Sequence, residues 1–213
     1  GYYEIKNGGQ LCWFSEQVNK GRYSIKGELM DNVYVNTNVV NTDGTLNTED
    51  QLINWTPIGN TESNAFEGDF NGNNYKIHGL YVPKTTKDTS IGLFGISYGS
   101  IKNVTLVNSY FGASPEVIEI GTICGALANS SITNCTNENT IIDATDCEFA
   151  SIGGICGFAT GATITSAQNN CNITTNASNS NIGGVLGNIE YCTLDKCINN
   201  NTITITGTDN NVG

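Results

Sequence analysis

Ile152-Gly153-Gly154-Ile155-Cys156-Gly157 decides the reading of the fold, because it recurs. Upstream stand Ile120-Gly121-Thr122-Ile123-Cys124-Gly125 and a shorter form, Ile91-Gly92-Leu93-Phe94-Gly95. Downstream stands Ile182-Gly183-Gly184-Val185-Leu186-Gly187. The opening glycines, Gly92, Gly121, Gly153, Gly183 and Gly213, are spaced by 29, 32, 30 and 30 residues. A fixed period of this size is the signature of stacked repeats, each of which buries its apolar face only against its neighbours.

Within each period the Gly-framed strand is followed by a second strand at Ile101, Ile132, Ile164 or Leu194. A third, Thr-rich strand is read at Val104–Val107, Thr140–Ile142, Ile173–Thr175 and Thr202–Thr206. Three short strands with no helical stretch between them do not suit βαβ units. They suit one coil of a right-handed parallel β-helix, with successive coils about 4.8 Å apart. Asn-Asn pairs at 73–74, 169–170 and 199–200 fall where turns are expected, since Asn tolerates left-handed backbone. The chain is therefore read as one all-β solenoid domain. Residues 1–30 form an N-terminal cap, 31–89 irregular first coils, and 90–213 regular coils. Leu11, Cys12, Phe14 and Val18 recur at helical spacing, so residues 9–20 are expected to form the cap's one amphipathic helix. Gly1 reads as a scar of tag cleavage and Val212-Gly213 as the opening of another copy, so a fragment of a longer exported protein is expected.

Charge narrows the partners. Charged residues are only 14 % of the chain, and the net charge is −11. Residues 1–102 carry eight basic against eleven acidic residues; beyond them Lys196 stands alone against nine acids. Nucleic acid and anionic membrane surfaces need clustered Lys and Arg, so both are excluded as partners. No segment is apolar enough for membrane insertion. Eight cysteines invite a disulfide reading. However, Cys124 and Cys156 share a column with Phe94 and Leu186, and Cys135 and Cys197 share one with Val104 and Ala167. Columns that exchange Cys for apolar residues predict buried free thiols. Cys147, Cys171 and Cys192 fall outside these columns, and a bridge among them stays open.

Gly92-Leu93-Phe94-Gly95 followed by Gly99-Ser100-Ile101-Lys102-Asn103-Val104 resembles the GLUG-type repeat of adhesin-like bacterial cell-surface proteins. Trp55-Thr56-Pro57-Ile58-Gly59 and residues 66–80 resemble the segment that precedes such repeats, and residues 10–20 its opening helix. The resemblance covers residues 9–206. It implies a right-handed β-solenoid at the cell surface or secreted, with a protein or glycan ligand, and it brings no catalytic residues or cofactor.

Candidate chemistry is sparse. Glycoside hydrolysis needs two carboxylates facing one groove. Glu67 with Asp69, and Asp143 with Asp146 and Glu148, are the pairs that the sequence offers. The second set is also a weak calcium candidate. Asp69-Phe70-Asn71-Gly72-Asn73 is similar to a calcium loop, but its twelfth position is Leu80. His78 is the only histidine, so no multi-histidine site is available, and it is read as a solvated turn residue. Tyr81, Tyr98, Tyr110 and Phe111 cluster around the first regular coil. Turned outward, they would form a stacking platform for sugar or protein. Turned inward, they would pack under loops 83–90 and 112–118. The sequence therefore predicts a non-catalytic adhesion or ligand-binding module. A carbohydrate-active enzyme and a ligand-free spacer are the alternatives.

Overall fold

The computed structural model describes residues 1–213. The chain winds into a parallel β-solenoid with five faces. Face one has seven strands, from Tyr2–Ile5 to Thr193–Asp195; face two has six, from Val33–Tyr34 to Ile198–Asn199. Face three has five, from Tyr81–Val82 to Ile203–Ile205, and face four has five, from Ser90–Ile91 to Asn211–Val212. Face five has four, from Phe94–Ser97 to Leu186–Glu190. Every strand pair within the faces is parallel.

The predicted columns stand. Ile91, Ile120, Ile152, Ile182 and Val212 are in register on face four. The four isoleucines are at most 1 % exposed. Phe94, Cys124, Cys156 and Leu186 align on face five, and Ile101, Ile132, Ile164 and Leu194 on face one. Each buried Ile contributes about 1.5–3 kcal/mol, which no single coil can accumulate in sufficient number.

The recurring glycines have a steric cause. A Cβ on Gly153 would lie 2.0 Å from the carbonyl oxygen of Cys156, because the chain folds back on itself between faces four and five. A Cβ on Gly157 would lie 2.5 Å from the Ile120 nitrogen, so the two faces meet backbone to backbone. The Gly-framed stretch is thus two strands and an arch, not one strand.

Two further expectations need correction. The third strand is really two. Thr105–Val107 pairs with Thr136–Glu138 on face two, whereas Ile141–Asp143 pairs with Tyr110–Gly112 on face three. The missing strands are polar. Asn169–Asn170 and Asn199 lie in strands, not turns. Asn137 and Asn169 point into the core at 0 % exposure. They are tolerated there because their amides are satisfied: Asn137 donates to the Gly154 carbonyl at 2.7 Å, and Asn169 donates to Asn199 Oδ1 at 2.7 Å. Asn73 and Asn74 do adopt left-handed backbone, as do Asn103, Asn108, Asn129, Asn134 and Asn139.

The helix runs Gly8–Asn19, with the Asn7 side chain accepting from the Gln10 amide as its N-cap. It covers the N-terminal end of the core. Phe14 is fully buried, its ring 6.1 Å from Phe66 and 5.8 Å from Phe70. All eight cysteines are free thiols. Cys147 belongs to the core. The Cys171 and Cys192 sulfurs instead accept from the Thr140 and Ala162 amides of the preceding coil. Burial pushes the Cys135 thiol up to about 12, which keeps it unreactive.

Candidate functional site

The predicted site residues do not converge. Phe111 is wholly buried in the core, and Tyr110 is 5 % exposed. Tyr110 packs against Tyr81 under Val39, Val40, Leu46 and Leu52, so the 39–52 loop adds an apolar cover that the sequence does not suggest, while Lys84 and Gly112 of the expected loops lie beside the Tyr110 ring. The Tyr110 hydroxyl donates to Asp143 at 2.9 Å, and Lys84 pairs with the same carboxylate at 2.9 Å. Burial pushes the Asp143 carboxyl up, but Lys84, Thr145 and Tyr110 together hold it below its ordinary value. Asp143 is therefore spent on its own chain. Asp146 accepts from Asn176 at an exposed turn, Glu148 is exposed, and the three form no ion-binding cluster. Glu67 is exposed, while Asp69 pairs with Lys26 and accepts from Ser100. His78 is a strand residue stacked on Tyr34 at 4.3 Å, not a turn residue. Burial, with Lys76 beside it, lowers its pKa.

Only Tyr98, of the four aromatics, opens onto a concave surface. Face five turns Ile96, Ala126 and Phe158 outward in one register column. Alanine between two larger side chains leaves a notch, and the result is a groove of about 380 Å³. Ala128 and Thr160 continue its floor. The rim is acidic. Glu119 comes from face four, where it must point outward because its neighbour Ile120 points inward. Glu62 comes from the 3-10 turn Glu62–Asn64.

Both carboxylates are held by hydroxyls. Ser90 donates to Glu119, its register partner one coil away, and Tyr98 donates to Glu62. Burial pushes the Glu119 carboxyl above its usual range; Ser90 draws it back, and the Glu62 charge adds to the rise. The Tyr98 hydroxyl is pushed up to about 12 by its bond to Glu62 and then by burial. No Lys, Arg or His lines the groove.

This predicts a pH-dependent strain. The folded pKa of Glu119 lies above its unfolded value, so its ionisation opposes folding. The stability it contributes is complete below the unfolded pKa and fades as pH rises through the folded one. Glu119→Gln should raise the thermal midpoint at pH 7.5 relative to wild type, and the difference should shrink at pH 4. A lower midpoint for the variant at pH 7.5 would contradict this account.

Fold and groove together define a parallel β-solenoid that carries a concave apolar-acidic surface. A structure of a "putative immunoglobulin A1 protease" from Bacteroides ovatus has the same fold: TM-score 0.63, 16 % identity, with 99 % of this chain and 83 % of that one covered. A "Putative Gly-rich membrane protein" of Evansella cellulosilytica is 36 % identical over 73 residues, a third of this chain. The match spans about 8 % of that protein's length. No family model matches the chain. No helix is long and apolar enough to cross a membrane.

Proposed function

We propose that this chain is a non-catalytic, surface-displayed module of an adhesin-like protein, and that the face-five groove takes its protein or glycan ligand. The outward apolar column Ile96–Ala126–Phe158 carries the reading. Apolar side chains aimed away from the core, in a concavity with a polar rim, mark interaction surfaces. The Gly-rich membrane protein of E. cellulosilytica and the GLUG-like motif both favour a location at the cell surface or outside the cell. The solenoid would hold the groove rigid, so binding loses little ordering entropy.

The test is a glycan and matrix-protein array probed with wild type and with Ala126→Trp, which fills the notch from outside the core. At least one ligand should bind, and the variant should weaken it tenfold or more. Unchanged binding by Ala126→Trp would remove the groove from the account. Uniform silence would favour a spacer.

One observation favours a carbohydrate-active enzyme instead: Glu62 and Glu119 face one groove, as a glycosidase requires of its two carboxylates. Against it, each already accepts a hydroxyl proton from its own chain. Reducing ends released from a polysaccharide panel, and lost in both Glu62→Gln and Glu119→Gln, would establish the enzyme.

A further inference from the structure

The groove's two charged groups are both acceptors. Two carboxylates define the rim, and the hydroxyls nearest them, Tyr98 and Ser90, already point their protons at those carboxylates. A neutral sugar needs donors as well as acceptors to be fixed, and of the four lining hydroxyls only Thr89 and Thr160 are left to donate. A positively charged donor meets no such obstacle. The floor complements it, since Ile96, Ala126 and Phe158 give an apolar wall on which a methylene stem or a flat guanidinium would lie. The wider surface adds to the bias: beyond residue 102 the chain holds a single basic residue, Lys196.

Resting on the reading of the groove as a ligand site, we propose that it is a receptor for one cationic side chain, arginine or lysine, presented by a polypeptide partner. The head group would sit between Glu62 and Glu119, and the stem would lie along Ile96 and Phe158. Charge-assisted pairing with two carboxylates is the strong form of this contact, and guanidinium matches a carboxylate in two bonds at once. The groove's two carboxylates disfavour each other's charge, because Glu119 is half-buried beside Glu62. A cation offsets both penalties, so binding should release a proton near the folded pKa of Glu119. Added salt should weaken it, because the groove is open to solvent.

The experiment is a titration of the whole 213-residue chain with three capped tripeptides, followed by amide shifts. The probes are Ala-Arg-Ala, Ala-Lys-Ala and Ala-citrulline-Ala, the last being a neutral isostere of the first. The expected result is that the two cationic peptides shift amides at 96–98, 118–119, 126–128 and 158–160, with the citrulline peptide at least tenfold weaker. Glu62→Gln and Glu119→Gln should each weaken the arginine peptide fivefold or more, and the double variant should abolish the shifts. Equal binding of the citrulline peptide, shifts confined to other faces, or no shifts overturn the proposal. Chitotetraose is titrated in parallel. If it perturbs the groove while the arginine peptide does not, the ligand-site reading survives and this proposal fails. If neither does, both fail.

Discussion

Gly157→Val is expected to unfold the middle of the solenoid. The added Cβ alone would sit 2.5 Å from the Ile120 nitrogen and 2.8 Å from the carbonyl oxygens of Gly125 and Ser151. All three are backbone atoms, and they belong to two different coils. No side chain can swing aside to relieve the contact, so the arch must open and the ladders of faces four and five must part. Overpacking costs about 1–3 kcal/mol and occasionally more, and contacts with three backbone atoms put this variant at the upper end. In a stacked array the loss spreads to neighbouring coils, since each is stable only against the next. Urea denaturation followed by far-UV circular dichroism measures it. Gly9→Ala is the matched control: its Cβ meets nothing closer than the Asn7 side-chain oxygen at 3.4 Å. Alanine there should be neutral or stabilise the helix by up to about 1 kcal/mol. If both variants show the same midpoint as wild type, the backbone contact is not what the recurring glycine serves.

The second large effect is expected at the cap. Phe14→Ala should cost about 3–5 kcal/mol, the range for deleting a buried aromatic ring. Phe14 is the helix's plug: its ring touches Phe66 and Phe70 and lies over Gly27, whose missing Cβ would fall 2.9 Å from the ring. Its loss leaves a void between helix and first coils, and the strands Tyr2–Ile5 and Lys26–Leu29 lose their inner support. Amide exchange should therefore quicken first at residues 2–5 and 26–29, ahead of residues 120–160. Trp13→Ala, one position away but 40 % exposed, should cost about 1 kcal/mol or less. Uniform exchange across the chain in Phe14→Ala would show that the helix does not act as an end cap.

The legible part of the sequence was its inward side. The Ile91–Ile120–Ile152–Ile182 column and the exchange of Phe94 for Cys124, Cys156 and Leu186 announce both the stack and its register, because only a shared dry interior selects such replacements. What resisted reading was polar residues in inward places. Asn137 and Asn169 are strand residues turned into the core, but amide side chains carry no hydrophobic signal, so the sequence merges face two with face three; with faces four and five also merged in the Gly-framed stretch, five strands per coil read as three.

The site was harder for a different reason. Glu119 could be derived: it precedes an inward Ile and is outward by alternation once the register is known. Ile96 could not. It stands two places after the inward Phe94, where alternation predicts an inward side chain, yet it faces out and Ser97 takes the inward place; Ala126 and Phe158 repeat the same break of step. Glu62 could not be derived, because it comes from a turn before the regular coils, where no period applies. Tyr98 stands out in the sequence for its ring, but its hydroxyl is what ties it to the site, through the Glu62 carboxylate. Tyr110 and Phe111 illustrate the opposite error: neighbours in sequence on one strand, they face different environments, Phe111 the core and Tyr110 the covering loop.

The ladders all run along the solenoid axis, each strand bonded to its equivalent one coil away. A pull on the two ends of the chain would therefore load those bonds a few at a time, as a zipper is loaded, rather than shear many together. Each coil of about 30 residues would pay out roughly 100 Å of slack as it peels, from the extended length per residue. The expected trace is a staircase of small, evenly spaced yields. A tether built in this way gives ground gradually under tension, where a sheared sandwich holds and then fails at once.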